Sequence, residues 1–162
     1  MDVMGNERCY FFALEVEPLK LGSIYKTIPM HCTLLHRFFS SLPLDVIDEK
    51  VRLLFKQSAP LILKPEQRIA LGPNRVLVAT IQLSPALKNL HLKLYELLNE
   101  VGVRYSETDW VGTGYRPHVT DQSSRSLPLD RTQLSTAVYL VEVEYPLQGR
   151  RKFIRKKFKL DV

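Results

Sequence analysis

Cysteine, long apolar runs and metal-ligand clusters are all scarce in this chain. Only two cysteines, Cys9 and Cys32, occur in 162 residues, which is too few for a disulfide framework. The sequence has no Cys-x-x-Cys or His-x-x-x-His spacing, and a zinc site needs three or four ligands, so we expect no metal and no cofactor. No apolar run approaches the roughly 20 residues of a membrane span, and the N-terminus lacks the basic start and apolar core of a signal peptide. We therefore expect a cytoplasmic protein without membrane contact, in which both cysteines are buried thiols.

The remaining composition is ordinary for a globular protein. Hydrophobic residues make up 45% of the 162 positions, which is enough to form the core of one domain. No linker or low-complexity segment divides the chain. We therefore expect a single domain over residues 1–162, and a monomer.

Acidic residues are scarce at the C-terminal end. The net charge is +6, and residues 150–162 hold seven basic residues against one acid, so that 1–149 are neutral overall. A concentrated basic segment suits phosphate-rich partners, through salt-dependent contacts that do not read sequence. A solvated edge strand protected from aggregation by lysine and arginine explains the segment equally well.

Apolar periodicity predicts an α+β chain with antiparallel sheet. Ser84 as an N-cap, Pro85 at the first helical position and Gly102 beyond the end delimit one helix clearly. Residues 20–29 are interpreted as a loop or short strand, 60–65 as an irregular strand region, and 103–114 as a loop. Helices are expected at 45–57 and 85–101; strands are expected at 8–16, 30–38, 68–71, 75–83, 137–144 and 151–160, with turns at 72–74 and 146–149.

Two tripeptides share the pattern His-x-Thr: His31-Cys32-Thr33 and His118-Val119-Thr120. Each follows a proline and lies in an apolar stretch that predicts a strand. In a strand, residues i and i+2 point to the same face. Each strand would therefore present an imidazole beside a hydroxyl. Two such strands placed opposite each other can hold a phosphate and move protons on both sides of it. The alternative is a pair of polar histidines at the edge of the core, bonded to nearby backbone.

The paired motifs resemble the 2H phosphoesterase superfamily, which includes the 2′–5′ RNA ligase and cyclic phosphodiesterase proteins. The resemblance rests on Ile28 to Leu35 and on Tyr115 to Thr120. It implies two pseudo-symmetric lobes of antiparallel sheet, with flanking helices, around a central cleft to which each lobe contributes one motif. It also implies a metal-independent phosphodiesterase that acts on RNA ends, 2′,3′-cyclic phosphates or 2′–5′ linkages, and so an RNA or nucleotide substrate.

The resemblance implies catalytic roles for both motifs. His31 and His118 form an acid/base pair, since histidine titrates near neutrality and one ring can be neutral while the other is protonated. Thr33 and Thr120 bond the non-bridging phosphate oxygens. Which histidine is the base stays open.

Further side chains are candidates for substrate binding. Arg116 and Arg37 share the strand parity of His118 and His31 if each strand is regular, although a surface arginine is the alternative reading. Aromatic rings can stack a base, and plain packing is the alternative for each. The aromatic candidates are Trp110, Tyr115, Tyr25 and Phe12.

Other residues are expected outside the site. His36 has the opposite parity to His31, and His91 is interpreted as a partly exposed helix residue. Cys32 and Val119 should point into the core. Glu142 and Glu144 share one face of a strand beside the basic tail, so they are expected to pair with its charges across the hairpin.

Asp121 departs from the apolar residue that usually follows the second threonine in the superfamily. A carboxylate facing the core is costly, so we expect this strand to end at Thr120. Together with the basic tail, this departure motivates the alternative function: a non-catalytic RNA- or nucleotide-binding module. A third interpretation is a protein-interaction domain that uses the final hairpin as a sheet edge.

Overall fold

The computed structural model describes residues 6–145 and 149–162. Within these ranges the chain forms two α-helices and eleven strands. The helices are α1 (Leu44–Lys56) and α2 (Pro85–Glu100). The strands are β1 (Arg8–Glu15), β2 (Ile24–Tyr25), β3 (His31–Ser40), β4 (Leu61–Leu63), β5 (Pro65–Leu71), β6 (Val76–Ile81), β7 (Arg104–Tyr105), β8 (His118–Thr120), β9 (Gln133–Ser135), β10 (Ala137–Glu144) and β11 (Arg151–Lys159).

Nine of these strands form one sheet, in the order β2-β11-β10-β1-β3-β8-β6-β5, with β7 also paired to β3. Strands β4 and β9 form a separate pair. Every strand pair in the described parts of the chain is antiparallel. The two motif strands, β3 and β8, are neighbours in the middle of the sheet, where its two halves meet. The α+β class with antiparallel sheet is confirmed.

The helices cover one face of the sheet. Phe55 of α1 and Leu94 of α2 lie in the same buried cluster as Phe12 and Cys32 of the sheet. Ser84 caps α2 as predicted, because its Oγ accepts a hydrogen bond from the Leu87 amide at 3.2 Å. No helix in the described ranges is long and apolar enough to cross a membrane.

The opposite face of the sheet carries a smaller buried cluster. Phe11 and Ala13 of β1, Phe39 of β3 and Ile154 of β11 belong to it. This face is left open around the two motif strands, and the cleft described below lies there. Because the helices pack on one face of the sheet, the opposite face can present polar side chains.

The sequence predicted both helices, the long strands and the short motif strand β8, and missed β7, β9 and the 3₁₀ turns. Residues 103–114, interpreted as a loop, contain β7 and two turns of 3₁₀ helix, Thr108–Trp110 and Gly112–Gly114. Strand β9 was not predicted, since three residues carry too little periodicity to recognise. The predicted turn at 146–149 lies mostly outside the described residues.

Candidate functional site

The register of β3 and β8 builds the floor of a cleft. Cys32 pairs with Val119, and both point into the core, as predicted, with no exposed surface. The antiparallel continuation of this register sets His31 beside Thr120 and Thr33 beside His118. Directly opposite residues lie about 4.5–5.5 Å apart at Cα, whereas diagonal ones lie about 7–8 Å apart. The four polar side chains therefore form a square on one face, with the two histidines on its diagonal.

Both motif imidazoles are held in the same way. The Nδ1–H of His31 donates to the carbonyl oxygen of Pro29 at 2.9 Å, and the Nδ1–H of His118 donates to that of Arg116 at 2.8 Å. Each ring is thus anchored by the backbone two residues earlier. This bond fixes the tautomer and leaves Nε2 of each ring available to exchange a proton with a ligand.

The cleft makes protonation of its histidines unfavourable in the free protein. Burial lowers the pKa of His31 to about 4, and the charges of Lys152 and His118 add to the effect. Burial also lowers the pKa of His118; the hydrogen bond to the Arg116 carbonyl opposes this, whereas the charge of the Arg116 guanidinium adds to it. Both rings are therefore neutral at pH 7, and both would take up a proton more readily beside a bound anion.

Two cavities share this floor. One, of about 360 Å³, is lined by His118, and the other, of about 290 Å³, is lined by His31. Thr33 and Thr120 line both. The cavities are therefore two halves of one cleft, with the hydroxyls between them, and each half is of a size that suits a small ligand.

The His118 half is partly aromatic and apolar. The Trp110 ring lies edge-on to the His118 ring, with centroids 5.8 Å apart, and the Arg116 guanidinium lies 5.7 Å from the centre of the Trp110 ring. Leu71 and Val78 line the same half. Trp110 and Arg116, two of the predicted binding residues, are thus brought beside the second motif, where a flat ring could stack.

His36 lies in the cleft, contrary to prediction. It lines both halves, and its ring is 6.4 Å from that of Trp110. The prediction assumed that β3 is regular, but its pairing with β1 shifts register twice, on either side of Phe12. Each shift adds a residue to β3 and changes which side chains share a face. Parity counted from His31 therefore fails beyond Thr33.

The same irregularity brings Arg37 to the cleft, as predicted but for another reason. Arg37 lines both halves, and its guanidinium donates to the Tyr145 hydroxyl at 3.1 Å. The His31 half is also lined by three cations that sequence reasoning did not assign to it. They are Lys26, Arg150 and Lys152.

Tyr115 borders the His118 half, but its side chain is held by contacts within the protein. Its hydroxyl donates to the Thr33 carbonyl at 2.8 Å, and its ring stacks on His91 with centroids 3.9 Å apart. The other two aromatic candidates lie away from the cleft lining. Phe12 is fully buried in the core, and Tyr25 packs against the smaller cluster.

His91 is fully buried, which corrects its interpretation as a partly exposed helix residue. Its Nδ1–H donates to the Leu34 carbonyl at 2.7 Å, and its Nε2 accepts from the Gly112 amide at 2.9 Å. It therefore ties helix α2 both to the first motif strand and to the loop before the second. The sequence signal for this burial was the position of His91 beside the apolar face of the helix.

Asp121 closes the second motif strand without disturbing it. Strand β8 ends at Thr120 as predicted, and Asp121 accepts a hydrogen bond from Arg68 Nε at 3.2 Å. Arg68 also donates to the Leu127 carbonyl at 2.6 Å. The carboxylate is thus neutralised by a partner on β5, and the amide of Asp121 bonds the Leu77 carbonyl at 3.0 Å, which continues the ladder.

The basic C-terminal strand divides its charges between two faces. Arg151 pairs with Glu144 at 3.1 Å and Arg155 with Glu142 at 2.9 Å, which confirms the predicted cross-strand partners. Strand β11 lies between β10 and the two-residue strand β2, and its Lys156 pairs with carboxylates of α1. Only part of the segment faces the cleft.

Two other observations limit the choice of site. A further cavity of about 430 Å³ is lined by Arg8, Glu142 and Arg155, but these charges already neutralise one another. No group of three or more potential metal ligands occurs among the described residues. The cleft at the two motifs is therefore the strongest candidate site.

Solved structures share this fold, whereas no protein-family model and no curated protein sequence matches the chain. A phosphoesterase crystal structure aligns with a TM-score of 0.64 at 17% identity, covering 96% of this chain and 99% of that one. E. coli LigT complexed with NADP+ aligns with a TM-score of 0.62 at 14% identity, covering 98% and 100%. LigT complexed with 3′-AMP gives 0.61 at 15% identity, covering 96% and 99%.

At these identities the likeness establishes the fold. It extends over nearly the whole length of both partners. The chain therefore has the α+β fold of the phosphoesterase and LigT structures.

Proposed function

We propose that the protein is a metal-independent phosphodiesterase of the 2H type, acting on RNA ends, 2′,3′-cyclic phosphates or 2′–5′ linkages. The observation that carries the proposal is the register of β3 and β8, which sets each motif histidine beside the threonine of the other motif. LigT, which shares the fold, has been crystallised with NADP+ and with 3′-AMP. That a nucleotide occupies a protein of this fold supports a nucleotide substrate here.

The two histidines are proposed to work on opposite sides of the phosphate. In-line displacement needs a base at the attacking oxygen and an acid at the departing one, and diagonal positions across the strand pair supply both. Since His31 has its pKa lowered to about 4, it is the better candidate for the neutral base. His118, which borders the larger half of the cleft beside Trp110, is then the acid, protonated when the anion binds.

The two threonines are proposed to stabilise the charge that develops on phosphorus. Their hydroxyls lie on the floor shared by both halves of the cleft, where they can donate to the non-bridging oxygens. Donors fixed before the reaction need no reorganisation, which is why such groups contribute strongly to the rate. Tyr115 is proposed to position Thr33 rather than to touch substrate.

The second candidate function is a nucleotide-binding module without catalysis. The cations of the His31 half favour it, because they would bind phosphate whether or not a bond is broken. The charges to neutralise in testing it are Arg150 and Lys152, since Arg151 and Arg155 already pair with glutamates.

We further propose that the protein works as a single-domain monomer in the cytoplasm. Both halves of the cleft come from one chain, so a second copy is not needed to complete it. Cys9 and Cys32 are buried free thiols, which suits a reducing compartment.

The test is hydrolysis of a panel of 2′,3′-cyclic nucleotides and a 2′–5′ diadenylate in EDTA, by the wild type and by His31→Ala/His118→Ala. Turnover that survives EDTA and is lost in a variant with unchanged circular dichroism supports the proposal. A well-folded wild-type protein that binds these compounds without converting them indicates the binding module instead.

A further inference from the structure

The His31 half of the cleft carries a group of cations whose charge is not neutralised. Arg37, Arg150 and Lys152 line it together with Lys26. Among the described residues that line this half, there is no aspartate or glutamate. The lining is otherwise polar or apolar, with Phe11 and Gln122 among its members.

Strand alternation explains why these cations differ from their neighbours in sequence. Arg151 and Arg155 point to glutamates of β10, whereas Lys152 points to the cleft face. Its Nζ lies 3.4 Å from the Lys26 carbonyl, and its side chain is half-buried. Lys152 is thus partly shielded from water, and none of the described residues that line this half supplies a carboxylate to it.

The cations also repel one another. Burial lowers the pKa of Lys152, and the charges of Arg150 and Arg37 lower it further. Lys152 in turn contributes to the lowered pKa of His31. Like charges gathered in a partly buried space are unfavourable in the free protein, and a bound anion relieves the repulsion.

The His118 half differs in character. It is lined by Trp110, Leu71 and Val78, and it includes the carboxylate of Glu107. An apolar, aromatic surface suits a nucleoside, whereas the His31 half suits negative charge. The two ends of the cleft thus differ: one is apolar and aromatic and the other is cationic. The proposed reaction centre lies between them.

We propose that the Lys26, Arg150 and Lys152 group is a binding site for a second phosphate, adjacent to the phosphate that the two motifs hold. The proposal rests on the proposed function and refines it. The substrate class is a nucleotide with two phosphates, or a short strand whose next phosphodiester reaches these cations. A cyclic mononucleotide with one phosphate would leave the site empty.

Equilibrium binding tests the site independently of catalysis. Calorimetric titrations would compare adenosine 3′-monophosphate, adenosine 3′,5′-bisphosphate and the dinucleotide ApAp, whose second phosphate is a diester. We expect at least one two-phosphate ligand to bind the wild type about tenfold more tightly than the monophosphate, as one charge-assisted contact permits. Tighter binding of adenosine 3′,5′-bisphosphate would identify a terminal phosphate as the second phosphate. Tighter binding of ApAp would identify the phosphodiester of a strand.

The variants locate the site. Lys152→Gln and Arg150→Gln should remove most of the gain, and should weaken binding of the monophosphate by a clearly smaller factor. Lys157→Gln makes the same charge change on the same strand, above the Tyr139 ring and outside the cleft lining, and should keep the gain. Equal affinity for all three ligands, or a gain that survives in Lys152→Gln and Arg150→Gln, would overturn the proposal. Failure of the proposed function is seen separately, as absent turnover in the hydrolysis panel.

Discussion

At the scale of the residue, two histidines and two threonines form the proposed reaction centre. Their identity was readable from the sequence, because His-x-Thr in a strand places both side chains on one face. Their mutual placement was not, because the pairing of β3 with β8 joins residues 87 positions apart, Cys32 and Val119. Only the fold shows that each histidine stands beside the other motif's threonine.

The hydroxyls give a prediction of their own. Thr33→Val and Thr120→Val should each lower kcat about 10²-fold, since removing one preorganised donor to a developing oxyanion has an effect of this order. Circular dichroism and thermal unfolding should change little, because valine preserves the shape of the side chain. Thr113→Val, at an exposed loop position outside the cleft lining, is the matched control. Full activity in both motif variants would contradict the role given to the hydroxyls.

At the scale of the element, irregularities in two segments decide what reaches the cleft. The two register shifts in β3 bring His36 and Arg37 to its face. The sequence offers no signal for them, because apolar residues at 34, 35, 38 and 39 are compatible with several registers. The loop before β8 likewise gains its shape from a tertiary contact, that of Gly112 with His91.

His91 is expected to position both motifs without touching substrate. In His91→Leu the Leu34 carbonyl and the Gly112 amide lose their partners, and unsatisfied buried groups should lower the free energy of unfolding by about 2–4 kcal/mol. We also expect a lower kcat/KM at temperatures where the variant is folded, because Trp110 lies in the same loop. Urea unfolding and steady-state kinetics measure the two effects.

Lys88→Leu serves as the control for that change, since Lys88 is exposed on the same helix. It should leave both stability and kcat/KM close to those of the wild type. A His91→Leu protein with wild-type kinetics would show that the contact is structural only.

At the scale of the whole molecule, all four histidines have a lowered pKa, each through burial first. The folded protein therefore binds fewer protons than the unfolded chain below the ordinary histidine pKa. Stability then rises with pH in this window and falls as the solution is acidified. For His31 the window runs from its folded pKa of about 4 to its ordinary value of 6.5.

Urea unfolding at several pH values between these limits measures the slope. The free energy of unfolding should fall steadily as the pH is lowered, and His31→Gln should make that fall shallower. An identical slope in the wild type and the variant would mean that His31 titrates normally in the folded protein.

The net charge could be counted from the sequence, but the sequence did not show which cations are paired and which face the cleft. The excess of positive charge lies in residues 150–162, yet Arg151 and Arg155 are paired while Lys152 faces the cleft. Alternation along β11 separates them, and the register with β10 decides which face is which. The sequence therefore located the excess charge but did not indicate which of its cations face the cleft.

The most direct test of the two-histidine mechanism is the pH dependence of kcat/KM from about pH 3 to 9, in EDTA, on the best substrate of the panel. We expect a bell-shaped profile for the wild type, with its maximum on the acid side of neutrality. The base His31 and the acid His118 both have lowered pKa values, and kcat/KM reports the free enzyme. His31→Ala should lose the acidic limb and His118→Ala the alkaline limb, each with a rate lower by about 10²-fold or more. A profile that is flat in the wild type, or unchanged in either variant, would contradict a mechanism that rests on these two histidines.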